Sequence, residues 1–130
     1  MGLQEKRLIQ QHQQQTIPQR EAQIRQDIGI ELTYALDWDS FANDKAALET
    51  LDYFVLNNLY KALLLVCSDA LGKETLGSTI KQIVIQNIDD IYKKAVVLSA
   101  DQLVYRVAPG LGASGYFDET QLRDLIEAAL

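Results

Sequence analysis

The chain has 130 residues, a net charge of −6 and a hydrophobic content of 48%, enough for one domain with a core of its own. The acidic balance opposes a phosphate backbone, so duplex nucleic acid is not an expected partner. A single cysteine, Cys67, rules out an intrachain disulfide and fits a reducing compartment.

The longest apolar run, Ala62–Cys67, is too short to span a bilayer. The start Met1-Gly2 has Lys6 where a myristoylation signal has Ser or Thr, and no basic region leads into an apolar run. The expectation is a soluble cytoplasmic protein with no membrane contact.

Residues 1–27 read as an arm. Nine of residues 3–27 are glutamine, and the large apolar side chains are Leu3, Leu8, Ile9, Ile17 and Ile24. Helix formers dominate. Pro18 suits the first turn of a second helix, with Thr16 as its N-cap. So thin an apolar stripe does not offset ordering costs of about 1–2 kcal/mol per residue, so the arm is expected to add little to the fold. Ile17 and Ile24, one heptad apart, are its candidate contacts with a neighbouring chain.

A single compact domain is expected over 28–130. IELTYALDW alternates, with Ile30, Leu32, Tyr34, Leu36 and Trp38 on one face, and reads as a half-buried strand. DSFAND then supplies capping residues: Asp39, Ser40 or Asn43. Leu48, Leu51, Val55, Leu59, Ala62, Val66 and Ala70 recur at helical steps, and Leu63–Leu65 make the later turns apolar nearly all round. Gly72 is the expected C-cap.

TIKQIVIQN (79–87) is β-branched and reads as a strand. AVVLS and QLVYRVA, separated by Ala100-Asp101, read as an antiparallel hairpin. Asp118 with Gln121 resembles a capping box ahead of a last helix faced by Leu122, Leu125, Ile126 and Ala129. The fold class is α+β: a helical arm, then β-α-β-β-β-α, with a mixed or antiparallel sheet of about four strands packed on a long central helix and a C-terminal helix.

The chemical motifs are weak. Gly110, Gly112 and Gly115 spell G-x-G-x-x-G, but a dinucleotide fold needs a second parallel strand beyond the loop, and only one helix follows. Asp118 and Glu119 would also repel an anion there, so the loop reads as a linker. Asp37, Asp39 and Asp44 fail the EF-hand spacing, since Phe41, Ala42 and Leu48 occupy required positions. They read as helix-capping acids. Asp89-Asp90 reads as a solvated turn.

Cys67 lies among apolar neighbours, and the one histidine, His12, lies in the arm, so neither a nucleophile–base pair nor a zinc site is expected. No catalytic, cofactor or metal residue is assigned. Tyr53 and Tyr60, seven apart, could form a second apolar helix face with Leu56 and Leu64, and are candidate partner contacts.

The expected function is a small acidic protein-binding or assembly module without catalysis, its arm docking on a neighbouring chain or a second copy. The alternative is an acidic immunity or inhibitor protein for a basic toxin. A third reading is a small enzyme with a site near the Gly110–Gly115 loop.

Overall fold

The structure, a computed structural model, describes residues 2–130. Four strands follow in the order β1 (Thr33–Leu36), β2 (Gln82–Asn87), β3 (Ala95–Ser99) and β4 (Gln102–Val107). In space the order is β1-β2-β4-β3, with β1 parallel to β2, β2 parallel to β4, and β3 antiparallel to β4. The sheet is thus mixed. Its β3–β4 hairpin turns through Ala100 and Asp101 as expected.

Pleating sends alternate side chains to opposite faces. Tyr34, Ile83, Ile85, Leu103, Tyr105 and Val107 are buried beneath the helices. On the other face no strand residue is buried, and Ala35, Val84, Val104 and Val97 form one row across all four strands. The fold is therefore α+β in two layers.

The expected strand is shorter than its pattern. Ile30, Leu32 and Tyr34 are buried, but β1 ends at Leu36. Asp37 leaves the extended region (ψ 83°), and Trp38–Phe41 form a short helix. The central helix runs Lys45–Thr50, a π-helical stretch Leu51–Leu56, then Asn57–Val66.

The stripe from Leu48 to Val66 is buried, but Ala70 lies beyond the helix end. Asp69 caps a new helix, Ala70–Thr79, by accepting from the Gly72 N–H. Gly72 is thus not a C-cap. A Cβ there would sit 1.9 Å from the Val66 carbonyl oxygen, so the tight turn between the two helices requires glycine. Leu64 and Leu65 are exposed, because no element covers that side.

The largest correction concerns residues 1–27. Leu3–Gln11 and Ile17–Asp27 are joined without a break by a π-helical stretch, His12–Thr16. Thr16 is helical rather than a cap. The wider turn closes from the Ile17 N–H to the His12 carbonyl, so the helix passes Pro18, which has no N–H to give.

Ile24 is fully buried and Ile17 nearly so, and Leu8 and Ile9 pack on the same core. Both candidate partner contacts of the arm therefore face their own chain. The sparse apolar stripe suffices because polar anchors supplement it. His12 Nε2 donates to the Leu48 carbonyl at 2.7 Å. Arg20 Nε meets Asp52 at 2.7 Å. The Glu21 carboxylate accepts from the Tyr34 N–H at 2.8 Å. Among the described residues no helix is long and apolar enough to cross a membrane.

Candidate functional site

The parallel strands β1 and β2 end side by side, and the segments that leave them meet there. The loop after β1 carries Asp39, Ser40, Asn43 and Asp44; the end of β2 carries Asn87, followed by Ile88 and Asp89. With Lys93 they line a cleft of about 570 Å³. Open sheets with parallel strands characteristically bind ligands at this carboxyl edge.

Asn87 holds the two segments together. Its backbone N–H donates to Ser40 Oγ at 3.0 Å. Its Nδ2 donates to the Ser40 carbonyl at 3.0 Å and to Asp44 Oδ2 at 3.1 Å. These two acceptors fix the amide orientation. Its Oδ1 is then buried without a hydrogen-bond partner among the described residues. Asp44 accepts from the Ala47 N–H at 3.0 Å and is the N-cap of the central helix, a role the sequence placed on Asp39, Ser40 or Asn43. Asp39 and Asp89 enter no ion pair within 4.0 Å among the described residues. The cleft thus has three carboxylates against one ammonium. It offers chiefly hydrogen-bond acceptors, so its chemistry suits a cationic donor.

No three His, Cys, Asp or Glu side chains among the described residues are grouped to hold a metal ion. Asp90 accepts from the Tyr92 N–H at 2.9 Å and starts the single turn Ile91–Lys93.

The glycines of the 110–115 loop have packing reasons. A Cβ at Gly110 would lie 2.8 Å from Asp44 Oδ1, and one at Gly115 would lie 1.8 Å from the Ala108 carbonyl oxygen. The loop folds against the start of the central helix beside the cleft, and residues 110–115 are not in the cleft lining. Beyond it, Asp118 and Gln121 form the expected capping box of the last helix, Glu119–Ala129.

The tyrosines have separate neighbours. Tyr53 is 69% exposed and meets Phe54 edge-on, while Phe54 stacks on Tyr116. Tyr60 donates its hydroxyl to Asp27 at the end of the N-terminal helix. The π-helical stretch widens the helix between them and offsets the seven-residue spacing. Leu56 is buried and joins the core instead of the proposed second face.

His12 stacks on Trp38 and binds Leu48, near the start of the central helix, whereas Cys67 follows its last residue. The two are not brought together. Burial pushes the Cys67 thiol pKa up, which disfavours the reactive thiolate.

Sequence reasoning missed Asn87 as the residue that joins the cleft walls. An asparagine ending a β-branched strand was the available signal, but its partners lie more than forty residues earlier. Compared with known proteins, the chain matches no family model, no curated protein and no solved structure.

Proposed function

We propose that this chain is a non-catalytic protein-binding module that takes a basic segment of a partner protein in the acidic cleft at the ends of β1 and β2. One observation carries the reading: Asp39 and Asp89, neither in an ion pair among the described residues, line one cleft with Asp44 and Asn87. An arginine or lysine side chain supplies both the charge and the donors that this set lacks. A basic toxin is one partner of that chemistry, and the inhibitor reading is that special case.

Trp38, the only tryptophan, immediately precedes Asp39 in the chain and serves as the fluorescence probe. Its fluorescence is titrated with an arginine-rich peptide. We expect saturable binding that weakens about tenfold or more between low and moderate salt. Asp39→Asn/Asp89→Asn should weaken it by about tenfold at low salt. Binding indifferent to both salt and these substitutions contradicts the proposal.

A further inference from the structure

The two edges of the sheet are finished differently. At β1 the N-terminal helix lies alongside, and the Tyr34 N–H on the outer edge is taken by Glu21. β3 is hydrogen-bonded on one side only. Its five residues pair with β4 in unbroken register, and AVVLS contains no proline, no charge and no bulge. It therefore lacks the devices that keep edge strands from pairing.

The flanks of β3 show what can pair with it. The tract 93–101 reads KKAVVLSAD. In an antiparallel pair of two copies centred on Val97, Ala95 stands opposite Ser99 and Val96 opposite Leu98, while Lys93, in the turn before β3, and the other copy's Asp101, in the turn after it, flank the paired residues at each end. Both ends then place opposite charges together. Lys93 and Asp101 are exposed, and neither enters an ion pair within 4.0 Å among the described residues. Lys94 is already engaged, its Nζ 4.5 Å from the Phe117 ring centroid.

The ladder agrees with this register. A two-residue turn makes Ser99 and Gln102 a hydrogen-bonded pair, so Ala95, Val97 and Ser99 bond to β4. Val96 and Leu98 then direct their N–H and C=O groups outward. Facing a second copy, they would exchange about four backbone hydrogen bonds. Val97, 41% exposed, would meet its own counterpart and extend the Ala35–Val84–Val104–Val97 row into the second sheet. Tyr92, 90% exposed, adjoins the same edge.

We infer that two copies of this chain pair antiparallel through β3, across a two-fold axis at Val97, to form one eight-stranded sheet. Lys93 also lines the acidic cleft, whereas Asp101 does not, so Asp101→Lys separates this inference from what the cleft binds. A contact of this size is weak, so the full chain is followed by sedimentation equilibrium into the high-micromolar range. The wild-type mass should approach twice the chain mass of 14.6 kDa.

Lys93→Glu alone and Asp101→Lys alone each place like charges together at both ends, and each should weaken self-association at least tenfold. An equimolar mixture of the two variants restores both opposite pairs and should dimerise like the wild type. A wild-type chain that stays monomeric throughout overturns the inference. So do single variants that dimerise as the wild type does, or a mixture that remains monomeric.

Discussion

Two buried tyrosines meet opposite fates. The Tyr105 hydroxyl accepts from the Phe117 N–H at 2.9 Å and fixes the approach to the last helix. The Tyr34 hydroxyl is buried without a hydrogen-bond partner among the described residues. Tyr105→Phe should therefore cost about 1–3 kcal/mol by orphaning that N–H, while Tyr34→Phe should be neutral or stabilising. Chemical denaturation of both variants reads the contrast, and equal losses would contradict it. Burial raises the pKa of both phenols. The sign follows directly: their unfolded counterparts ionise near pH 10 while the folded ones stay neutral, so stability is lost as pH rises above about 10. Tyr34→Phe should lessen that alkaline loss. Little of this was legible in the sequence, where Tyr34 and Tyr105 differ only in which strand carries them. The Asp118–Gln121 box was legible because capping is local and its partners are three residues apart.

Elements were readable where their signals are short-range. The β3–β4 hairpin and the last helix follow from periodicity and turn spacing. The hairpin also carries an identifiable strain: Ala100 has φ +54°, a region that favours glycine. Ala100→Gly should raise stability by roughly 0.5–1 kcal/mol in thermal or urea unfolding, and a loss would show that this turn is relaxed with alanine. The N-terminal helix was readable as a helix but not as part of the core. Its anchors, His12 to Leu48 and Arg20 to Asp52, join positions over thirty apart, a pairing that periodicity does not reveal. Ile24→Ala should cost about 2–5 kcal/mol as a core cavity. A cost near zero would return this helix to the status of an appendage.

At the scale of the whole molecule, the N-terminal helix seals one sheet edge and the remaining helices cover one face. That leaves the acidic cleft, the β3 edge and the uncovered sheet face available. The α+β class was legible because the order of elements limits the layers that can form. The cleft was not, although Asp39, Asp44 and Asp89 stand out in the sequence, because the crossing from β1 to β2 brings together the ends of segments distant in the chain.

If the cleft is the partner site, an amide-by-amide map of the bound peptide will locate it there. Isotope-labelled full-length chain is titrated with the arginine-rich peptide while its backbone amide resonances are followed. Shifts should concentrate in residues 39–44 and 87–93 and be abolished by Asp39→Asn/Asp89→Asn while the remaining spectrum stays folded. Shifts scattered over the surface, centred elsewhere, or absent at millimolar peptide would contradict it.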